Sequence, residues 1–185
     1  MRKFLHISAW VVGMAVALLV ILLLVAPTKV HIEQSVLIHA PPSAVWDQTA
    51  RFDRYNQWNT LREMEPSAKF RIDGVDGTAG ASTTWTGKKI GYGRLRHLSL
   101  TPHTEIRQQL EFFEPLNAVS DICFKFADSA GGTRVTWSMD AEYARPKNIV
   151  GMFMKDNLVT DFRKGLQRLK SAAEASVSAE KTVNN

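Results

Sequence analysis

Apolar residues dominate the chain from Phe4 to Ala26, and no Asp, Glu, Lys or Arg stands between Phe4 and Thr28. After that the pattern changes to alternation. Lys29–His39 (KVHIEQSVLIH) is rich in β-branched residues and predicts a strand. Ala40-Pro41-Pro42 ends it, because proline cannot donate to a ladder. Proline suits a helix's first turn, with Ser43 as an alternative cap. Val45, Trp46, Thr49 and Phe52 then fall at helical spacing, and Asp53 is placed to cap a second short helix ending near Trp58. Short alternating runs follow over Lys69–Asp73, Ala81–Thr86, Ile90–Leu100, Glu105–Phe113, Ala118–Phe126 and Thr133–Tyr143. Asp76-Gly77, Gly87-Lys88, Thr101-Pro102-His103, Pro115-Leu116-Asn117 and Gly131-Gly132 separate them, the signature of antiparallel hairpins. From Asn148 the period is helical, and Leu158, Phe162, Leu166, Leu169 and Ala173 form one apolar stripe. Residues 174–185 are small and polar and are expected to fray as a flexible tail.

This order predicts an α+β fold. A curved antiparallel sheet of about seven strands has one face to cover, and only the last helix carries a stripe long enough to cover it. Three segments follow: an N-terminal span over residues 1–28, a domain over 29–173, and the tail.

As a helix, Phe4–Ala26 is roughly 35 Å long at about 1.5 Å per residue, enough to cross a hydrocarbon core of about 30 Å. A cleaved signal peptide is the rival, but its apolar region is usually only about 7–15 residues, and Leu24 stands where a small residue is wanted. An uncleaved, single-pass signal anchor fits better. Arg2 and Lys3 precede the span, so the N-terminus is expected in the cytoplasm and the domain outside. In a bacterium that means an inner-membrane protein with a periplasmic domain. Gly13 and Ala17 make a small-xxx-small pair that allows two spans to touch, a pattern common by chance.

The formal charge of +5 points first to nucleic acid. Position removes that reading. Arg2, Lys3 and Lys29 flank the span, and the chain from residue 30 holds twenty basic residues against eighteen acidic. So balanced a surface releases few counterions, and no nucleic-acid partner is expected. Cys123 is the one cysteine, with no internal disulfide partner, and its alternating surroundings suggest a buried, inert thiol.

A turn at Thr101–Thr104 pairs Arg94 with Glu111 and Arg96 with Gln109 on one face. Leu95, His97, Ile106, Gln108, Leu110 and Phe112 take the other, more apolar face, which is assigned to the interior. Gly91 and Gly93 fall on that face, where glycine leaves room for a bulge or for a ligand near the backbone. Val135, Trp137, Met139 and Ala141 are the inward set of the last strand, Thr83 and Trp85 belong to an equivalent alternation, and Met152, Phe153, Leu158 and Phe162 come from the helix. His97 is the one titratable residue placed inside. It is a weak candidate for general acid/base work, because no carboxylate is assigned beside it, and a structural histidine is the simpler reading. The other histidines are scattered, and nucleotide-loop and hydrolase-elbow motifs are absent, so neither metal nor cofactor is expected.

VLIHAPPSAVWDQTARFDRYNQWN, GTAGASTTWTGKKIGYGRL, GGTRVTWSMDAEY and MFMKDNLVTDFRKGLQRLK together resemble the SRPBCC superfamily, the START-like helix-grip proteins, and within it the polyketide cyclase/dehydrase and lipid-transport group. The resemblance spans about residues 30–173 and implies a cavity between sheet and long helix. It makes the first of these stretches pocket wall, with Trp46 and Trp58 read as core. The implied lining is Trp85, Leu95, His97, Leu110, Phe112, Trp137, Met139, Phe153, Leu158 and Phe162. Members bind lipids, sterols, hormones and polyketides, and only some catalyse, so the fold leaves the activity open. Three readings follow. One is a membrane-anchored, non-catalytic binder of a hydrophobic small molecule or lipid. The second is a cyclase- or aromatase-like enzyme using His97. The third is a filled scaffold that works through protein partners.

Overall fold

The computed structural model describes the backbone of residues 2–115 and 117–183, and the side chains there except at positions 2–9, 150, 152, 153, 180, 181 and 183. Helix α1 (Arg2–Val25) leads into strand β1 (Lys29–Ile38). Three short helices follow, α2 (Pro42–Ala50), α3 (Phe52–Trp58) and α4 (Thr60–Met64). The strands are β2 (Lys69–Asp73), β3 (Ser82–Gly87), β4 (Gly91–Thr101), β5 (Glu105–Glu114), β6 (Ala118–Ser129) and β7 (Gly132–Glu142). Helix α5 (Asn148–Val183) closes the chain.

The strands form one antiparallel sheet in the order β1-β7-β6-β5-β4-β3-β2. The hairpin register is the expected one in its middle: Arg94 faces Glu111, Leu95 faces Leu110, and His97 faces Gln108. Bulges at Tyr92/Gly93 and His97/Ser99 shift it at both ends; each adds twist and helps the sheet curve. On the outer face the Arg94 guanidinium donates to Glu111 at 2.6 Å and Arg96 donates to Gln109 at 3.0 Å. The concave face carries Ile106, Ile122, Phe124, Val135, Trp137 and Met139, all buried. Phe162, Leu166, Leu169 and Ala173 of α5 cover it, as the helical stripe predicts.

Several details depart from the sequence pattern. Asp53 does not cap α3. The Asp76 carboxylate, more than twenty residues away, accepts the Phe52 and Asp53 N–H groups at 2.7 and 3.1 Å, while Asp53 pairs with Arg51 on the surface. Ser43 is no cap either, since Pro41 occupies that position. The extra helix α4 is capped by Asn59, whose side chain accepts the Arg62 N–H at 2.9 Å. Residues 174–183 continue α5. Val177 still packs on the core, and Glu174 accepts the His39 N–H at 2.8 Å. Cys123 faces the outer side of the sheet, half-buried. Its thiol donates to Glu105 at 3.7 Å and is held up in pKa by burial and then by that carboxylate.

Helix α1 stands apart from the domain, with large apolar side chains exposed from Trp10 to Val25. Among the described residues no helix is long and apolar enough to cross a membrane. The span expected at Phe4–Ala26 includes side chains outside the described residues, since α1 is described in full only from Trp10.

The remote cap is testable. Asp76→Ala should destabilise the domain by about 1–2 kcal/mol through loss of the helix cap. Asp53→Ala should stay within about 0.5 kcal/mol, as for a surface change. Thermal unfolding of both variants checks the contrast.

Candidate ligand cavity

Glycine sets the approach of helix to sheet. A Cβ at Gly165 on α5 would overlap the Trp137 ring. Without it, Trp137 lies stacked between Phe124 (centroids 4.9 Å apart) and Phe162 (4.1 Å). Trp58 meets the same indole edge-on at 6.2 Å. This stack divides the interior. Towards the far end of the sheet the space is filled by Ile106, Phe124, Val135, Leu166 and Leu169. Towards the end where β1 begins, a cavity of about 330 Å³ remains open.

Its sheet wall is Leu95, Leu110, Phe112, Ala118, Ser120, Ile122, Trp137 and Met139. Met154, Leu158 and Phe162 of α5 face them, and Tyr55, Asn59, Leu61 and Met64 of α3 and α4 close the side. Of the residues expected at the lining, Leu95, Leu110, Phe112, Trp137, Met139, Leu158 and Phe162 do come together around this space. Phe153 lies outside the residues whose side chains are described, as does Met152.

Trp85 and His97 do not line the cavity. Trp85 is buried with its indole across Gly93, where a Cβ would overlap the ring, and it meets Phe112 edge-on at 5.4 Å. The room that glycine leaves is therefore taken by tryptophan, not by ligand. His97 is 1% exposed in the filled half, stacked on Phe52 at 4.1 Å. Its Nε2 is 2.8 Å from the Ala50 carbonyl and its Nδ1 3.2 Å from the Gln108 amide nitrogen. A carbonyl only accepts, so Nε2 carries the proton and Nδ1 accepts from Gln108. Burial lowers the His97 pKa, which keeps it neutral. Both ring nitrogens are spent on joining α2 to the sheet.

Sequence reasoning missed the polar part of the lining. The Tyr55 hydroxyl has no hydrogen-bond partner among the described residues, and burial raises its pKa well above that of a free phenol. It therefore stays protonated and offers a donor to the cavity. Asn59 is spent on the α4 cap and, at 3.4 Å, on Asn56. Ser120 and Ile122 were legible, being in phase with Phe124 and Phe126. Tyr55 was not, because its helix is too short to show a period. Lys89 and Asp161 are the charged side chains at the edge of the space. The turn bearing Lys89 is held by Glu65, whose carboxylate accepts the N–H groups of Lys89, Lys88 and Ile90 at 2.8, 2.9 and 3.2 Å. These bonds, the Lys89 one first, lower the Glu65 pKa.

A curved antiparallel sheet gripping a long helix over an apolar cavity defines a helix-grip domain. The polyketide cyclase/dehydrase and lipid-transport family matches residues 29–174, and the chain belongs to it. No curated protein matches. Among solved structures, the di-domain ARO/CYC StfQ from the steffimycin biosynthetic pathway is similar with TM-score 0.64 and 12% identity, over 82% of this chain and 52% of that one. A protein from Chromobacterium violaceum matches with TM-score 0.57 and 15% identity, over 80% of this chain and 98% of that one. The Aha1 dimer from Colwellia psychrerythraea gives TM-score 0.56 and 18% identity, over 78% and 96%. At these identities the likeness is one of fold.

The neutral His97 makes stability depend on pH. Its folded pKa lies below the unfolded value of about 6.5, so the unfolded chain binds the proton first, and stability is lost as pH falls through that value. The unfolding temperature should drop between pH 7.5 and 5.5. His97→Gln should be less stable at pH 7.5 and show a flatter pH profile.

Proposed function

We propose that this chain is a membrane-anchored, non-catalytic binding domain for a hydrophobic small molecule or lipid. The observation that carries the reading is the cavity itself: about 330 Å³, walled mainly by aliphatic, aromatic and methionine side chains, with Tyr55 in its wall and the Trp137 indole N–H buried without a partner. That volume lies near the lower end of the range of about 300–1,000 Å³ for small-molecule sites, which favours a single acyl chain or a compact ring system over a two-chain lipid. Methionine at the lining suits a ligand of variable shape. The ligand is then an apolar body with one hydrogen-bond acceptor, a carbonyl, hydroxyl or carboxyl oxygen, set against Tyr55.

The family covers both cyclases and lipid carriers. Binding is favoured over catalysis because His97 is committed to the fold and the remaining charged groups, Lys89 and Asp161, stand at the edge of the cavity. The anchor is α1, a helix of 24 residues with no acidic residue, preceded by Met1 and beginning Arg2-Lys3. Its exposed apolar side chains need a non-aqueous surrounding. Basic residues before the span support an N-terminus in the cytoplasm and a domain on the periplasmic or outer side.

The full chain, purified in detergent and exposed to a membrane lipid extract, should show a discrete added mass in its native mass spectrum. Leu110→Asp should abolish the adduct in a still-folded protein. Tyr55→Phe should weaken it by about two- to tenfold, the worth of one hydrogen bond of about 0.5–1.5 kcal/mol. A clean unliganded spectrum under several lipid conditions would sink the reading.

A further inference from the structure

The position of the cavity mouth relative to α1 follows from the register of the sheet. Lys29, where β1 begins, pairs with Glu142, where β7 ends. Ser120, near the start of β6, pairs with Ala141. Glu114 at the end of β5 pairs with Tyr92 at the start of β4, and Gly91 pairs with Gly87 at the end of β3. All these strand ends therefore lie at one end of the sheet, the end from which α1 leaves. Lys89 and Ile90 of the β3–β4 turn, Pro115 of the β5–β6 turn, Met64 of α4 and Met154 of α5 line the cavity at this end, and all but Ile90 are exposed.

The exit of α1 is fixed as well. The last carbonyls of a helix have no partners within it and attract cationic or donor groups. Here Arg145, in the β7–α5 connection, donates to the Leu23 and Leu24 carbonyls at 3.0 and 2.9 Å. The buried Asn148, first residue of α5, donates to Leu23 and Ala26 at 3.0 and 2.8 Å. The Tyr143 N–H adds a bond to the Thr28 carbonyl at 2.8 Å. The linker between helix and domain is thus clamped, not free. Exposed side chains from Trp10 to Val25 show that α1 projects away from the domain instead of lying along it.

We infer that the domain stands mouth-down on the bilayer: the cavity opens against the lipid surface into which α1 inserts, and the Arg145–Asn148 clamp sets that orientation. The inference rests on the anchor and cavity proposed above and adds the face presented to the membrane. The rim has the composition such a contact needs. Met64 and Met154 are 52% and 39% exposed, and Pro115, Pro146, Lys88, Lys89 and Lys147 stand exposed at the same end, beside the exposed carboxylates of Glu114 and Glu142. Apolar side chains enter the headgroup boundary while the lysines meet phosphate. A ligand then moves between bilayer and cavity without crossing water.

The test uses the full chain in phosphatidylcholine/phosphatidylglycerol vesicles, in a Cys123→Ser background. A nitrobenzoxadiazole label is placed at Met64→Cys or Met154→Cys at the mouth, or at Ala130→Cys in the β6–β7 turn at the opposite end. Doxyl-labelled lipid in the vesicles should quench the two mouth positions several-fold more than position 130. Equal quenching at both ends, or stronger quenching at 130, overturns the inference. Arg145→Ala combined with Asn148→Ala should erase the difference while the protein still floats with vesicles and still binds a fluorescent fatty acid. A difference that survives both changes removes the clamp from the proposal. Protein that does not float overturns the anchor and the orientation together. Protein that floats and binds the fatty acid, yet shows no end-to-end difference, overturns the orientation alone.

Discussion

Trp137 sets the distance between the sheet and α5, and most of the interior follows from it. Its ring lies flat between Phe124 of a neighbouring strand and Phe162 of the helix, and Gly165 removes the one carbon that would hold the helix off. Aromatic stacks are stiff and poorly compressible. On the far side of the stack, Val45, Phe52, Leu166 and Leu169 are buried in the core. On the near side, α2 no longer covers the sheet, and the short helices α3 and α4 with the first turns of α5 arch over a gap.

That division explains why the strands change character along their length. On β4, Leu95 borders the cavity while His97 is packed away. On β5, Leu110 and Phe112 border it while Gln108 and Ile106 are fully buried. On β6 and β7 the same step falls between Ile122 and Phe124 and between Met139 and Val135, with Trp137 at the boundary. The buried polar pair His97–Gln108 belongs to the filled half, where it joins helix to sheet. The Tyr55 hydroxyl belongs to the open half, where nothing in the described chain answers it.

The open half is also the half nearest α1. Strand polarity forces this, because an antiparallel sheet that begins beside α1 returns to α1 with every second turn. The cavity lining at Met64, Lys89 and Met154 and the clamped exit of α1 therefore share one end of the sheet.

The alternation of β4 to β7, the apolar stripe of α5 and the proline stop after β1 were all legible in the sequence, because each is a local periodicity imposed by a face that must be buried. So was the pairing of Arg94 with Glu111, once a turn at Thr101–Thr104 was assumed. Periodicity says which side chains point inward; it does not say whether the inward space is full. Trp85 and His97 point inward as expected and are packed shut, while Tyr55, on a seven-residue helix with no visible period, reaches the cavity. The Asp76 cap of α3 and the Arg145–Asn148 clamp on α1 join groups far apart in the chain, and no local pattern marks them. Whether a face is filled, and which distant side chain satisfies a helix end, depends on how separate elements meet in space. Only the tertiary structure decides that.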